Sequence, residues 1–445
     1  MKKEIVVIGN GMVGYKFCAK LKEKDPNHAY TVTVFGEEPI PAYDRVHLSE
    51  YFSGKSVADL ILEKKSWYAD HKINLILGDP VIHIDCRARI VTAASGQTVS
   101  YDKLVMATGS YPFVPPVQGI NREGIFVYRT IDDLQKIENF AKNCTSAVVI
   151  GGGLLGLEAA KAASDLKLKT HVVEFAPWLM PRQLDETGGM LLKSKIEDQG
   201  ISVHLNKNTS QIVAGEKTNM RMEFNDDSSL SIDMIIVSAG IRPRDDLARE
   251  SEIELGTRGG IVVNDQLLTS DPHIYAIGEC ALYNNFIYGL IAPGYLMADV
   301  VATQLMGEEA TFTGTDMSTK LKLMGVDVSS IGDPVTENDA NESVTLMSQS
   351  SGIYKKLVLN KESRKLVGAI LVGDNSSYHQ LYQQYKSGVA ILGMPETLIA
   401  PAGAVEDSLF VMPKEAQICS CENVSKGQIK SAFSAECTSV DSIKK

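Results

Sequence analysis

The sequence predicts an α/β protein made of two parallel-sheet domains and a smaller α+β domain near the carboxyl end. Two observations support the first part: a β-branched run, a glycine-rich turn and an Ala/Leu-rich helical pattern follow one another at residues 146–160, and the same order occurs at residues 4–22. The third observation is a pair of strand-like runs at residues 354–359 and 366–372, with a helical pattern after them. Strands that alternate with helices are typical of doubly wound sheets.

The glycine-rich turn near the middle of the chain has the spacing of a dinucleotide fingerprint in a Rossmann-like domain. Gly151 permits the tight turn, Gly153 lets the main chain approach a pyrophosphate, and Gly156 lets the helix pack on the strand. The helix that follows is expected to begin at Leu154 and Leu155, so the phosphates would meet its positive end.

An acidic residue, Glu174, closes the next strand of the central motif. A carboxylate at this position would accept hydrogen bonds from a ribose 2′-hydroxyl. This favours NADH over NADPH, because no arginine directly follows Glu174 to hold a 2′-phosphate. Arg182 lies a few residues further on and leaves NADPH open as a second substrate.

The amino-terminal copy of the motif carries Gly9, Gly11 and Gly14, with Met12 at the start of its helix. One such motif is weak evidence, whereas two copies, each after a strand and each with an acid closing the next strand, predict two bound dinucleotides. The first pocket would hold the dinucleotide that stays bound. Arg45, in the loop that follows, could reach a pyrophosphate or a ring carbonyl, or could be a solvated loop cation.

Regular structure is also expected between the glycine motifs and after the second. Residues 57–77 are predicted to form a connector with an apolar stripe, and residues 81–85 and 90–92 a small antiparallel meander. Residues 220–224 and 229–232 are predicted to form a hairpin.

The composition excludes several classes of partner. The chain has 445 residues, enough for about three domains, and its net charge of −11 argues against nucleic acid. The apolar runs are shorter than the roughly 20 residues of a membrane span. The apolar amino terminus is the strand of the first glycine motif rather than a signal peptide. These features predict a cytoplasmic protein with no membrane contact.

The chain has seven cysteines, too few for a secreted disulfide framework of this length. Four of them lie singly in apolar or helical context and are expected to be small buried side chains: Cys18, Cys86, Cys144 and Cys280.

Two further turns of small residues, Ala107-Thr108-Gly109 and Ile277-Gly278-Glu279, complete a recognisable pattern. Together with the paired glycine motifs they resemble the two-dinucleotide-binding-domain flavoproteins, in which FAD occupies the first site and NAD(P)H the second. The resemblance covers residues 3–312. It implies that Glu37 or Glu38 binds the adenosine ribose of FAD, and that Ala107, Thr108 and Gly109 pass beside the cofactor.

The same resemblance suggests roles for five other residues. The backbone near Val81 would meet the adenine, Glu279 stands where the family usually has Asp on the ribityl chain, and Gly240 would border the nicotinamide pocket. The helix that begins near Pro293 could direct N–H groups at the flavin pyrimidine, or could be an ordinary capped helix. Glu158 would lie near the contact between nicotinamide and flavin as a catalytic residue, or would be a solvated helix acid.

The end of the chain suggests where electrons would go. Residues 36–56 contain no cysteine that could serve as the redox thiol of a disulfide reductase or a thiol-using NADH oxidase. Cys419 and Cys421 resemble the start of a bacterioferritin-associated-ferredoxin-like [2Fe-2S] segment, which also needs a C-x-x-C pair. No such pair follows and Cys437 alone cannot complete four ligands, so a bound cluster is not expected in this chain.

The strings at residues 42–49 and 179–185, with the C-x-C pair, resemble the amino-terminal half of the large subunit of NAD(P)H-dependent nitrite reductases. This implies an FAD-dependent electron-transfer module for nitrate assimilation that takes electrons from NADH to a downstream iron–sulfur and sirohaem module. The alternatives are a free-standing NADH-dependent reductase of rubredoxin or ferredoxin, and a flavin-bearing structural or sensor protein. A homodimer is left open. The predicted segments are FAD-binding residues 1–112 and 239–312, NAD(P)H-binding residues 113–238, the α+β domain 313–410, and the incomplete iron–sulfur segment 411–445.

Overall fold

A computed structural model describes residues 2–336, 338–400, 413–419 and 424–434 of the protein. The chain divides into two compact units, each assembled from separate stretches. The first unit comprises Met1–Phe113, Tyr128–Lys136 and Gly240–Thr315, and the second comprises Val114–Val127, Ile137–Ala239 and Asp316–Lys445. The division into two units does not test the four domain segments predicted from the sequence, which stay a prediction.

The amino-terminal stretch contains eight strands and three α-helices. They are β1 (Lys3–Ile8), α1 (Met12–Lys24), β2 (Tyr30–Gly36), α2 (Val57–Leu60), α3 (Lys65–Asp70), β3 (Ile73–Leu77), β4 (Val81–Asp85), β5 (Ile90–Ala93), β6 (Thr98–Ser100), β7 (Lys103–Met106) and β8 (Ser110–Pro112).

The middle of the chain contributes a second set of strands and helices. They are β9 (Ile125–Val127), α4 (Ile131–Ala141), β10 (Ser146–Ile150), α5 (Leu154–Asp165), β11 (Lys169–Val173), α6 (Glu186–Glu197), β12 (Ser202–His204), β13 (Thr209–Ala214), β14 (Met220–Phe224), β15 (Ser229–Ile232) and β16 (Met234–Val237).

The remaining described residues return to the first unit and then form the carboxyl-terminal part of the second. Their elements are β17 (Ile241–Pro243), α7 (Asp246–Glu250), β18 (Ile261–Val263), β19 (Ile274–Ala276), β20 (Ala281–Tyr283), α8 (Ile291–Leu305), β21 (Thr319–Leu323), β22 (Val326–Gly332), β23 (Asn341–Ser348), β24 (Ile353–Asn360), β25 (Leu366–Val372), α9 (Tyr378–Ser387), β26 (Gln417–Cys419), β27 (Val424–Ser425) and α10 (Lys426–Ser434).

The first unit is built on a parallel sheet with the strand order β19-β7-β1-β2-β3. The central strand β1 carries the fully buried Ile5, Val6 and Val7, as expected for a parallel strand covered on both faces. The prediction of a connector over residues 57–77 was wrong for its last part, because residues 73–77 form β3. This strand pairs with β2, with Val34 opposite Leu75, and that long-range pairing decides its conformation.

The second unit contains another parallel sheet, with the order β12-β11-β10-β16-β9. In both sheets the glycine-rich turn follows the carboxyl end of the central strand, β1 or β10. Strand order reverses there, and nucleotides bind at such a point in open α/β sheets. The predicted hairpin gains a third strand, since β13 pairs with β14. The sheet β13-β14-β15 packs on the parallel sheet through a shared apolar cluster that includes Val148, Val173, Met222 and Ile235.

The carboxyl-terminal part of the second unit contains an antiparallel sheet with the order β21-β22-β25-β24-β23. Helix α9 packs on one face through Tyr378, Leu381 and Tyr382, which contact Leu357 and Leu371 in one apolar cluster. Two parallel sheets with helices and one antiparallel sheet with a helix agree with the predicted fold class, which is confirmed.

Two absences apply to the described residues. No helix in that part of the chain has the length and apolarity needed to cross a membrane. No group of three or more His, Cys, Asp or Glu side chains within the described ranges is arranged to hold a metal ion. Cys419 ends β26, whereas Cys421 and Cys437 lie outside the described residues.

A pair of histidines bridges two strands of the second unit. His171 of β11 and His204 of β12 stack with 5.3 Å between ring centroids, and His171 Nδ1 lies 3.1 Å from His204 Nε2. Burial, then the charges of His204 and Lys169, lower the pKa of His171 to about 4. Burial and the charge of Lys207 also lower the pKa of His204. Both rings are therefore neutral in the folded protein at neutral pH.

We expect the protein to lose stability as the pH falls below 6.5, the ordinary histidine pKa, towards 4. An unfolded His171 binds a proton in this range and the folded residue does not, so acid favours unfolding by up to about 3 kcal/mol. In His171→Asn, the free energy of unfolding measured in urea should depend less steeply on pH. The same substitution at the exposed His83 is the control, and equal slopes in all three proteins would contradict the assignment.

Candidate functional site

The first glycine-rich turn has two glycines that the protein itself requires. Gly9 has a φ of +110°, and a Cβ there would collide with the carbonyl oxygen of Ala107. A Cβ at Gly14 would collide with the carbonyl oxygen of Gly9. At Gly11, in contrast, no described protein atom lies within 4 Å of where a Cβ would be. The open space at the start of α1 is therefore available to a ligand.

The second turn repeats this arrangement. Gly151 has a φ of +117°, and a Cβ there would collide with the carbonyl oxygen of Ser238. A Cβ at Gly156 would collide with the carbonyl oxygen of Gly151, while a Cβ at Gly153 would have no described protein atom within 4 Å. The two turns thus share one geometry as well as one sequence pattern.

The helices that leave the two turns begin without a side-chain cap. Gly11 and Gly153 are the N-cap residues of α1 and α5, and neither helix start is capped by a side chain. Helix α6 differs, because its N-cap Asp185 accepts a hydrogen bond from the Gly188 N–H at 3.0 Å. Uncapped N–H groups and the helix dipole suit a pyrophosphate. In the first turn, the buried Nδ2 of Asn10 also lacks a hydrogen-bond partner among the described residues.

Glu174 lies beside the second glycine turn, directly after β11. Its carboxylate accepts hydrogen bonds from the main-chain N–H groups of Gly152 and Ala176, the latter at 2.7 Å. These two bonds hold the side chain in place and leave lone pairs that can accept from ribose hydroxyls. Leu154 and Leu155 are half-buried in the first turn of α5.

The two acids after β2 are each paired with an arginine. Glu37 accepts hydrogen bonds from both terminal nitrogens of Arg244, and the bond from Nη2 is 2.9 Å long. These hydrogen bonds lower the pKa of Glu37. Glu38 accepts from Arg45 Nη2 at 2.5 Å and from the Tyr43 hydroxyl at 2.8 Å. Both carboxylates are therefore held at the carboxyl end of β2, and their contact with the adenosine ribose of FAD stays a prediction.

Arg45 lies close to the start of α1, since its main-chain N–H donates to Met12 Sδ at 3.4 Å. Its guanidinium forms the ion pair with Glu38, so it is not simply a solvated loop cation. A contact of Arg45 with a pyrophosphate or a ring carbonyl stays a prediction. The pairing is a contact that the spacing of the loop did not reveal.

The small-residue turn after β7 contacts the first glycine turn. Ala107 N–H donates to the Ile8 carbonyl oxygen at 2.8 Å, at the end of β1. The Thr108 hydroxyl donates to the Arg244 carbonyl oxygen at 2.6 Å, and the Gly109 carbonyl accepts from the Arg244 N–H at 2.9 Å. This backbone therefore borders the candidate FAD site.

Glu279 forms a cluster with two residues that sequence reasoning missed. Its Oε2 accepts from the Ser110 hydroxyl at 2.6 Å and from Arg129 Nη2 at 2.6 Å. The Nε of Arg129 is buried and has no hydrogen-bond partner among the described residues. No local motif marks Arg129 or Ser110, because the cluster joins positions that are far apart along the chain. The ribityl contact of Glu279 stays a prediction.

Val81 and its neighbours lie next to the acids of the first site. Val81 begins β4 and is buried, and three residues earlier the Gly78 N–H donates to the Glu38 carbonyl oxygen at 3.1 Å. This contact brings the start of the meander to the end of β2.

Pro293 is buried in the first turn of α8, which begins without a side-chain cap. A Cβ at the neighbouring Gly294 would lie 2.6 Å from Val13 Cγ2, so the start of α8 lies close to the start of α1. The starts of α1 and α8, neither of which has a side-chain cap, thus lie near each other.

The roles predicted for Gly240 and Glu158 near the nicotinamide stay predictions. Gly240 has a φ of +110° with no described atom within 4 Å of where a Cβ would be, and its carbonyl oxygen accepts from the Phe113 N–H at 2.8 Å. Glu158 is half-buried in α5.

We expect Gly153→Ala to weaken nucleotide binding without unfolding the protein. A Cβ at Gly153 meets no protein atom, so the loss of stability should be about 1 kcal/mol at most. It would occupy the space for the pyrophosphate and raise the KM for NADH by about tenfold or more. The matched variant Gly156→Ala should lower the free energy of unfolding by about 2 kcal/mol or more, because its Cβ meets a carbonyl oxygen. Steady-state kinetics and urea unfolding measure both effects, and an unchanged KM in Gly153→Ala would contradict the assignment.

Comparison with protein families gives two matches. Residues 3–304 match the family described as pyridine nucleotide-disulphide oxidoreductase, and residues 318–389 match the rubredoxin NAD+ reductase C-terminal domain. The first match covers both glycine turns and all residues assigned to nucleotide binding. Members of this family bind FAD and NAD(P)H, so the prediction of these two cofactors is confirmed.

Curated relatives match the whole chain. The chain is 46% identical over 448 residues to the NADH nitrite reductase large subunit of Escherichia coli (strain K12), covering 100% of this chain and 53% of that protein. It is 49% identical over 447 residues to the NAD(P)H nitrite reductase large subunit of Klebsiella oxytoca, covering 100% of this chain and 47% of that protein. The chain therefore spans about half the length of these relatives.

Among solved structures, the NADH:rubredoxin oxidoreductase of Clostridium acetobutylicum is similar, with a TM-score of 0.74 and 27% identity. The similarity covers 90% of this chain and 99% of that one. The repeated glycine turns, the parallel sheets behind them and the family match over residues 3–304 agree with one another. The chain belongs to the pyridine nucleotide-disulphide oxidoreductase family.

Proposed function

We propose that this chain is the FAD-dependent, NADH-oxidising electron-transfer module of an assimilatory nitrite reductase large subunit. The observation that carries the proposal is the match of the whole chain, at 46–49% identity, to about half of two nitrite reductase large subunits. We further propose that the protein is cytoplasmic. A homodimer is compatible with the proposed function.

Several residues fit the two cofactors. In the first unit, the open space at Gly11, the uncapped start of α1 and the unpartnered Arg129 Nε would receive the phosphates and polar groups of FAD. In the second unit, the open space at Gly153 would receive the pyrophosphate of NADH and Glu174 its ribose. Bound FAD supplies a hydride acceptor that can also release electrons singly. The protein orients both nucleotides, and the helix starts oppose their charge.

The described cysteines support electron transfer without a protein thiol. Burial raises the pKa of Cys18 to about 12 and that of Cys144 to about 11, and it also raises the pKa of Cys86 and Cys280. A thiol needs its thiolate form to attack a disulfide. These four residues are therefore poor redox nucleophiles at neutral pH, and we infer that electrons leave for a downstream iron–sulfur and sirohaem module.

A second candidate function is a free-standing NADH-dependent reductase of rubredoxin or ferredoxin. It is favoured by the match of residues 318–389 to the C-terminal domain of rubredoxin NAD+ reductases. The two candidates share the chemistry of NADH oxidation and differ in the protein that accepts the electrons.

The proposal predicts activity with artificial acceptors but not with nitrite. Under anaerobic conditions NADH should bleach the flavin absorbance of the purified chain at about 450 nm, and ferricyanide should restore it. Nitrite should not be consumed, because no sirohaem ligand set belongs to the proposed module. Consumption of nitrite by the 445-residue chain would contradict the proposal. Rapid reduction of rubredoxin would favour the second candidate, and a flavin that NADH does not bleach would favour a sensor or structural role.

Glu174→Gln tests the preference for NADH. The amide has one oxygen, which can accept from only one of the Gly152 and Ala176 N–H groups, and it loses the charge-assisted bonds to the ribose, so the KM for NADH should rise by about tenfold. The KM for NADPH should fall or stay constant, because the negative charge opposite a 2′-phosphate is gone. Comparing the KM for NADH with the KM for NADPH in the same variant controls for a general loss of activity. A ratio of the two KM values equal to that of the parent protein would contradict a ribose contact at Glu174.

A further inference from the structure

The segment between Glu174 and α6, residues 175–184, forms a loop that we call the NADH-site loop. It contacts the second glycine turn directly: the Met180 N–H donates to the Gly152 carbonyl oxygen at 3.1 Å. The Leu179 side chain also packs on this turn, since a Cβ at Gly152 would lie 2.5 Å from Leu179 Cδ2. Leu179 and Met180 are fully buried. The position of the loop therefore affects the shape of the glycine turn.

The first turn of α6 packs against the NADH-site loop. A Cβ at Gly189 would lie 2.6 Å from Trp178 Cδ1 and 2.7 Å from the Leu179 carbonyl oxygen. The Trp178 Nε1 donates to the Leu184 carbonyl oxygen at 2.9 Å and closes the loop. Glycine within a helix costs about 1 kcal/mol relative to alanine, and the close approach of the loop explains its presence here.

The adjacent glycine faces the carboxyl-terminal sheet. A Cβ at Gly188 would lie 3.4 Å from Tyr354 Cδ1 and 3.5 Å from Ile370 Cγ2. The residue opposite Ile370 on the neighbouring strand is Lys356, so these side chains share the sheet face opposite to the one covered by α9. The first turn of α6 is thus held between the NADH-site loop and this sheet, within the second unit.

Asp185 joins these parts. Its Oδ1 caps α6 by accepting from the Gly188 N–H at 3.0 Å, while its Oδ2 accepts from the Tyr354 hydroxyl at 2.7 Å and from Lys356 Nζ at 3.0 Å. The side chain of Asp185 is 20% exposed and that of Lys356 is 18% exposed. One oxygen of the carboxylate therefore caps α6, and the other connects the start of this helix to β24.

We propose that Asp185 is a positioning residue for NADH binding, and that β24 holds the NADH-site loop in place through it. Tyr354 and Lys356 fix Asp185, Asp185 fixes the first turn of α6, and this turn supports Trp178 and Leu179 against the glycine turn. Loosening the bridge allows the loop to move away from the glycine turn and weakens NADH binding. The inference rests on the proposed function, because it concerns the site that would bind NADH.

Two substitutions break the bridge while leaving the helix cap. Asp185→Asn keeps an oxygen for the Gly188 N–H, since Asn is as good an N-cap as Asp, but loses the charge that holds Lys356. Tyr354→Phe removes only the hydroxyl. We expect each variant to raise the KM for NADH about three- to tenfold with kcat, FAD content and FAD affinity changed less than twofold. The double variant should raise the KM for NADH by less than the product of the two single effects, because both changes break the same bridge.

The chain offers a matched control in Asp316. Its Oδ2 also accepts from a tyrosine hydroxyl and a lysine ammonium, Tyr382 and Lys386, both at 3.3 Å. Both donors belong to α9, which packs on the sheet face opposite to the one that contacts α6. Asp316→Asn and Tyr382→Phe should leave the KM for NADH unchanged, even where they lower the melting temperature.

The assay is NADH-dependent ferricyanide reduction with the full chain carrying FAD, together with thermal unfolding. A KM for Asp185→Asn and Tyr354→Phe that equals the parent value, or that rises equally in the Asp316 and Tyr382 variants, overturns the inference. If Asp185→Asn does not fold, Tyr354→Phe alone decides. A parent chain that does not oxidise NADH overturns the proposed function and this inference with it, whereas an active parent with unchanged variants overturns this inference alone.

Discussion

Both nucleotide sites depend on how closely a helix can approach the strand that precedes it. In each glycine turn a carbonyl oxygen occupies the space that a Cβ of the third glycine would need, at Gly14 and Gly156. Only a residue without a side chain allows this contact, and it brings the helix start to the carboxyl end of the central strand. The middle glycine of each turn then leaves open the space in which a pyrophosphate would meet uncapped N–H groups. The repetition of this geometry in two sheets links sequence pattern to cofactor binding.

Charge around the first site is organised in pairs. Glu37, Glu38 and Glu279 each accept hydrogen bonds from an arginine, and the three arginines come from different stretches of the first unit. Such pairs fix the orientation of the carboxylates, although partly exposed pairs add little to stability. We therefore propose that they preorganise acceptors for the hydroxyl groups of a dinucleotide rather than hold the unit together.

The antiparallel sheet near the carboxyl end has helices on both faces within the second unit. Helix α9 covers one face, and the first turn of α6 contacts the other through Gly188. A sheet that would otherwise expose its second face is thereby covered, and the cover is the helix that follows the NADH-site loop. The part of the chain that matches the rubredoxin NAD+ reductase C-terminal domain thus contacts the helix that follows the NADH-site loop.

The sequence by itself determined the two parallel sheets, the two glycine turns and the acids that end the following strands. These features depend on local properties: β-branched runs form strands, and glycine alone adopts the backbone of Gly9 and Gly151 without strain. Tertiary structure decided which partners the charged residues take. Arg45 pairs with Glu38, Arg129 pairs with Glu279 150 positions away, and Asp185 accepts from Tyr354 169 positions away. No local pattern encodes such contacts, because they exist only once distant strands and helices have packed against one another.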